Sequence, residues 1–236
     1  MVVTFSYTVH FNHFFVYRDN INQLIPVELS DNNKKLTMHK ISLVAALVIT
    51  SFASHGAKMS RNQYQLVHAA DEIKVDGVLD ESIWQSATQM ELRYENNPGE
   101  GTPAPVKTEI FFYENGESFN VAIIAYDPEP EKIRASLRDR DALWSDDNVG
   151  IIIDTFNDER TAYEFFVNPL GAQADMRMDD TDGWQEDESW DAIWESAGQI
   201  TNEGYVVEMK IPFNALRFPD QEGQLTWNVA GWRNYP

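Results

Sequence analysis

The order of apolar and polar residues changes character twice along the chain. Residues 1 to 37, with Tyr7, His10, Phe11, His13, Phe14, Phe15, Val16 and Tyr17, follow neither a helical stripe nor a strand alternation. At Met38 the pattern shifts: His39 and Lys40 precede an apolar run from Ile41 to Ile49, and Ser51, Ala53, Ser54, Gly56 and Ala57 follow it. A basic start, a short apolar stretch and an alanine-rich exit predict a secretory signal peptide over 38–57. The run is shorter than the roughly 20 residues needed to cross a bilayer. Met38 therefore reads as the true start, 1–37 as an upstream extension, 58–70 as a linker and 71–236 as the exported folded domain.

From Asp71 the pattern is short strands punctuated by turns. Lys107 to Glu114 and Ser118 to Tyr126 flank Asn115-Gly116, a dipeptide suited to a tight hairpin turn. Within the second strand, Phe119, Val121, Ile123 and Ala125 alternate with Asn120, Ala122 and Ile124, so one face belongs to a core. Further strands are predicted at Asn148 to Phe156, Thr161 to Asn168, Gln173 to Met178, Trp190 to Ile200, Tyr205 to Ile211 and Leu225 to Trp232. Helix is scarce: Asp80 can cap one turn through Ile83, Trp84 and Ala87, and another is predicted from Pro130 to Leu137. This pattern predicts an all-β fold, a β-sandwich or jelly roll with one or two short helical turns.

An apolar content of 43% with 12% aromatics is ample for a packed core. Charge narrows the partners. The 18 basic and 38 acidic residues give a net charge of −20, which repels a phosphate backbone and argues against nucleic acid. Residues 71 to 236 carry 12 basic and 35 acidic side chains, so the exported part is the acidic part. There is no cysteine, and all five histidines precede Asp71. Thiolate chemistry, Ser-His-Asp catalysis and histidine-ligated zinc are thereby excluded from the predicted domain.

Seven tryptophans, Trp84, Trp144, Trp184, Trp190, Trp194, Trp227 and Trp232, all fall after Asp71. An indole offers a flat apolar surface to the C–H face of a pyranose, while neighbouring Asp, Asn, Gln or Arg hydrogen-bond the hydroxyls. Trp84, Trp227, Trp190 and Trp194 sit in strand or capping patterns that suit a core. Trp184 lies in the acidic run Asp179 to Glu188, too polar for a strand, and is expected on a loop; Trp144 is a second candidate platform. The same run, with Asp180 and Asp182, and the group Asp146, Asp147 and Asp154 offer oxygen ligands that suit calcium, although the loop-helix spacing of an EF-hand is absent. Arg134, Arg138 and Arg140, interleaved with Asp139 and Asp141, can grip a hydroxyl or carboxylate, or pair among themselves. Carboxylate pairs also serve glycoside hydrolysis, but no spacing singles one out, and catalysis in this domain is not expected.

Several segments in order resemble a known family: Val75-Asp76-Gly77-Val78-Leu79-Asp80-Glu81 with Trp84, Trp144-Ser145-Asp146-Asp147-Asn148-Val149 leading into Ile151-Ile152-Ile153-Asp154, and Gly204-Tyr205-Val206-Val207-Glu208 before Ile211-Pro212-Phe213. They resemble the family 9 carbohydrate-binding modules. Asp154-Thr155-Phe156-Asn157-Asp158, Asn168-Pro169-Leu170-Gly171, Trp190 to Ser196 and Leu216-Arg217-Phe218-Pro219 are similar to its bacterial branch, in which the module precedes an outer-membrane barrel region of unassigned function. The resemblance implies a jelly roll that binds carbohydrate in a protein of carbohydrate catabolism, hydrolytic only by association, in the periplasm or at the outer membrane of a Gram-negative bacterium. It places Trp144 as one wall of an aromatic sugar clamp and Asp147 as an acid of that site, with Trp184 and Arg140 as further candidates. The chain departs from the studied modules where Gly150 replaces a sugar-binding Glu and Phe166 a sugar-binding Arg; the second clamp tryptophan is expected beyond Pro236. The end at Tyr235-Pro236, as the last strand completes, predicts a truncated gene or a fragment, with the barrel absent from this chain.

Overall fold

Alternation along the strands builds two sheets whose inner faces share one core. A computed structural model describes residues 6–11, 15–17, 62–99, 101–181, 185–220 and 224–236. The strands are β1 (Ser6–Phe11), β2 (Phe15–Tyr17), β3 (Asn62–Gln65), β4 (Val67–His68), β5 (Thr88–Glu91), β6 (Tyr94–Asn97), β7 (Thr102–Pro103) and β8 (Thr108–Glu114). They continue with β9 (Ser118–Tyr126), β10 (Asn148–Asp154), β11 (Thr161–Val167), β12 (Gln173–Asp179), β13 (Gln185–Asp187), β14 (Glu195–Thr201), β15 (Gly204–Pro212) and β16 (Gln224–Asn234). One sheet runs β13-β12-β11-β10-β16-β2-β6-β7, with β1 against β16 and β3; the other runs β14-β15-β9-β8-β4, with β5 also on β8. The protein is a β-sandwich.

The core lies between these layers. Val149, Ile151 and Ile153 of β10, Phe165 and Val167 of β11, and Leu225, Trp227 and Val229 of β16 meet Ile110, Phe119, Val121, Ile123, Tyr205, Val207 and Met209 of the second sheet. Trp227 is completely buried and stacks edge-on with Phe119 and Phe213. A buried indole of this size contributes several kcal/mol of apolar burial, on the order of 3–5 kcal/mol by truncation.

The outward side of the second sheet is closed by the chain's own segment 73–87. Ile73, Ile83 and Trp84 pack on Tyr113 and Ala122. Glu208, fully buried on β15, accepts hydrogen bonds from the amides of Asp76 (3.0 Å) and Gly77 (2.9 Å) and from the Trp84 Nε1 (3.3 Å). Gly77 makes this possible at φ +82°, where a Cβ would stand 3.1 Å from the backbone of Gly198. The Val-Asp-Gly motif, Trp84 and the glutamate of Gly-Tyr-Val-Val-Glu are thus parts of one joint.

Several expectations need correction. The turn after Asp80 is a single 3₁₀ turn, Ser82–Gln85, capped by the backbone of Glu81 and not by the Asp80 side chain; the Glu81 carboxylate instead takes the Lys74 amide and the Trp84 Nε1. The helix expected from Pro130 to Leu137 shrinks to Pro130–Lys132, because the amides of Arg134 and Ser136 are drawn to the carboxylates of Asp147 and Asp146. The strand expected from Trp190 begins only at Glu195: the Ala192 backbone donates to Asp175 (2.6 Å) and accepts from Arg140 (2.7 Å), which pulls 190–194 off the sheet. Strands β3 and β4 occupy the segment read as linker, and His68 there lies 2.6 Å from Glu114, which brings an imidazole into the sandwich. Strands β1 and β2 form where no alternation was visible, both parallel to β16. The segment 38–57 and the residues Asp182 and Trp184 lie outside the described residues.

Candidate functional site

The outward face of the first sheet carries the candidate platform. Alternation turns Gly150 of β10, Phe166 of β11, Ala174 of β12 and Trp232 of β16 to the same side, and the pairings Phe166 to Ala174, Gly150 to Phe166 and Gly150 to Trp232 set them in one row. Phe166 spreads over Gly150; a Cβ at 150 would overlap its ring and stand 2.5 Å from the Phe165 carbonyl oxygen. The two departures from the studied modules are therefore a single packing event. Trp232 meets Phe166 edge-on at 5.9 Å and donates its Nε1 hydrogen to Asn148 Oδ1 (3.2 Å).

Trp144 completes the cluster from the loop before β10. Its ring meets Phe166 edge-on at 5.2 Å, and 37% of the residue stays exposed, the largest exposure of any tryptophan among the described residues. The loop beneath is rigid for identifiable reasons. Leu143 is fully buried beside Phe166, Ala174 and Met176. Asp146 is chelated by Arg138 (2.9 and 3.2 Å) and also accepts from the Ser136 amide (3.0 Å) and Asn168 Nδ2 (3.0 Å). Burial alone would raise the Asp146 carboxyl, but the hydrogen bonds from Arg138, Asn168 and Ser136 together hold it below the usual range. Asp141, at φ +62°, accepts from the Asp175 amide and fixes the start of the loop. An exposed indole on a pinned loop is a preorganised stacking surface.

The other expected residues serve the frame. Asp147 is buried, 3% exposed, and its Oδ2 accepts from the Arg134 amide (2.8 Å); burial pushes its carboxyl up. It does not share the solvent face of Trp144, which stands exposed on the loop while the Asp147 side chain is buried. Arg140 is consumed by Asp175, Asp191 (3.0 Å), Gln173 (3.1 Å) and the Ala192 carbonyl, strapping 190–194 to β12. Asp154 fills its two oxygens with the amides of Phe156, Asp158 and Glu159 and the Asn228 Nδ2, which makes it a turn anchor. Asp180 is exposed, and its amide donates to the Arg160 carbonyl. No group of three His, Asp or Glu side chains converges among the described residues. Trp84, Trp194 and Trp227 are core, as expected, and Trp190 packs half-buried on Tyr163 and Phe165. Trp232, a cluster member, was not singled out in sequence; its alternation was visible, but its pairing with Gly150 was not.

A larger cleft of about 530 Å³ lies elsewhere, between Pro105 to Lys107 and Tyr126 to Pro128 with Asn202 and Glu203. Lys107 sits 4.9 Å over the Tyr126 ring, so the aromatic face there is already covered. The Trp144 face is the better stacking surface.

No curated protein matches the chain. Among solved structures it is similar to a family 9 carbohydrate-binding module from Caldicellulosiruptor kristjanssonii in complex with cellotriose, at 17% identity, TM-score 0.44, over 62% of this chain and 66% of that one, just under two thirds of its length. The same module with glucose aligns at 16% identity and TM-score 0.42, over 65% and 70%. A candidate carbohydrate-binding protein from Bacteroides uniformis aligns at 12% identity and TM-score 0.47, over 64% and 72%. The model for carbohydrate family 9 binding domain-like proteins matches residues 75–231, which is most of the sandwich, and the chain belongs to that family.

Proposed function

We propose that this chain binds carbohydrate on the outward face of the β10–β11–β12–β16 sheet, with Trp144 as the stacking platform. The observation that carries the reading is the exposed Trp144 ring held edge-on to Phe166 above a loop pinned by Asp146 and Arg138. Binding through one platform and a few hydrogen bonds corresponds to affinities of roughly −4 to −8 kcal/mol, millimolar to micromolar. The module itself is a binder and not a hydrolase; its place is an exported protein of carbohydrate breakdown, at the periplasm or outer membrane, ahead of a barrel. The signal-like segment 38–57 and the motifs of the bacterial branch support that placement. The test is a glycan array and calorimetric screen of the full chain, with and without calcium, alongside Trp144→Ala. Saturable binding lost in Trp144→Ala with the fold intact is the expected result.

A second reading is favoured by one observation. Gly150 and Phe166 pack together where the studied modules keep a polar sugar-binding pair. A structural domain of an outer-membrane protein, with no sugar bound, has that composition. A well-folded chain silent across the array selects this alternative.

A further inference from the structure

The same outward face is apolar through its middle. Ile152 of β10, Ala162 and Phe166 of β11, Met176 and Met178 of β12 and Ala230 of β16 share it by register. In their midst stands Glu164, whose cross-strand partners are Ile152 and Met176. It is 4% exposed, and its Oε1 has no hydrogen-bond partner. Buried carboxyl oxygens are ordinarily satisfied, and an orphan of this kind calls for an explanation. To one side of Glu164 lies the Trp144–Phe166–Trp232 cluster; to the other is a pocket of about 150 Å³ whose lining includes Ile152, Ala162, Met178 and Asn228.

We propose that Glu164 is a ligand contact, the carboxyl that hydrogen-bonds a carbohydrate hydroxyl on the floor of this face, between the aromatic cluster and the pocket. The proposal rests on the carbohydrate-binding reading above. A neutral carboxyl donates one hydrogen bond and accepts others, matching a sugar hydroxyl that does both, whereas a carboxylate only accepts. Burial, reinforced by the negative charge of Glu186 on β13, pushes the Glu164 carboxyl up to about 8. The facing positions on β10 and β12, Ile152 and Met176, carry no charge. Asp154, further along β10, keeps its carboxylate among amides, and Arg177 of β12 alternates to the opposite side, 3.9 Å from Asp187. Met176, unbranched and flexible, can yield to an incoming ring. Binding therefore weakens as pH rises through about 8, because the proton that lets Glu164 donate is lost.

The experiment uses the full chain on a glycan array of gluco-, xylo-, manno- and galacto-oligosaccharides, and then titrates the strongest responder by calorimetry at about pH 6 and about pH 9. Wild type is expected to lose roughly tenfold in affinity between the two, the value of about one hydrogen bond. Glu164→Gln, which keeps a donor and an acceptor at every pH, binds equally at both; Glu164→Leu binds roughly tenfold more weakly at both. Affinity that is flat with pH and unchanged in both variants overturns the role of Glu164 and leaves the carbohydrate reading standing. Silence of folded wild type across the array at both pH values overturns the carbohydrate reading, and the contact falls with it.

Discussion

The two sheets of the sandwich present outward faces of similar apolar character and treat them in opposite ways. Each face holds a buried glutamate. On the second sheet, Glu208 is met by two amides and an indole from the segment 73–87, and that indole, Trp84, is 5% exposed. On the first sheet, Glu164 has an oxygen with no partner, and Trp144 stands 37% exposed against Phe166. The same residue types yield a closed structural joint on one side and a face with an unpaired carboxyl oxygen on the other. What differs is whether the chain supplies the donors itself, since a buried carboxyl costs little only when its hydrogen bonds are made.

The contrast can be broken most severely at the closed face. Trp84→Ala is expected to cost about 3–5 kcal/mol in urea denaturation, because it empties a packed site and removes one of the three donors to Glu208. Glu208→Ala leaves the amides of Asp76 and Gly77 without an acceptor, while the Trp84 Nε1 keeps Glu81, and is expected to cost about 3 kcal/mol, at the upper end for unsatisfied buried groups. A cost below about 1 kcal/mol for either would mean that the cover is not held as described. Beneath the open face, Gly150→Ala drives a methyl into Phe166 and the Phe165 carbonyl, an overpacking worth about 1–3 kcal/mol.

Two further effects sharpen the comparison. The Glu164 carboxyl is raised in the folded protein, so above about pH 4.5 the unfolded chain releases a proton that the folded chain retains. Wild-type stability should therefore fall with a slope approaching 1.4 kcal/mol per pH unit, roughly, up to about pH 8, and the stability of Glu164→Gln relative to wild type should rise over that interval. Parallel stability curves for the two proteins across that range would show Glu164 to be solvated and ionised. Trp144→Ala is expected to cost under about 1 kcal/mol while removing binding, in contrast to Trp84→Ala. A loss approaching that of Trp84 would make Trp144 a core residue and end its claim as a platform.

The strands of the core were legible because alternation is local: Phe119 to Ala125, Val149 to Ile153 and Tyr205 to Ile211 announce their inner faces in the order of residues alone. The helical turns and the start of β14 were less so. There a backbone amide had to choose between its neighbour and a distant carboxylate, and Asp147, Asp146 and Asp175 won. Trp144 was recognisable as a candidate from its motif. Asp147 and Arg140 were equally recognisable as polar residues nearby, yet their side chains are spent within the frame.

Composition, alternation and ordered motifs by themselves determined the all-β sandwich, the acidity of residues 71–236, and membership of a carbohydrate-binding family. Only the tertiary structure decided which polar side chains have donors left over. Register between strands far apart in sequence set Gly150 under Phe166, Trp232 beside them and Glu164 among apolar neighbours. Facing is a property of a strand and can be read along it; satisfaction of a hydrogen bond is a property of a pair, and the partner is chosen only when the sheets close.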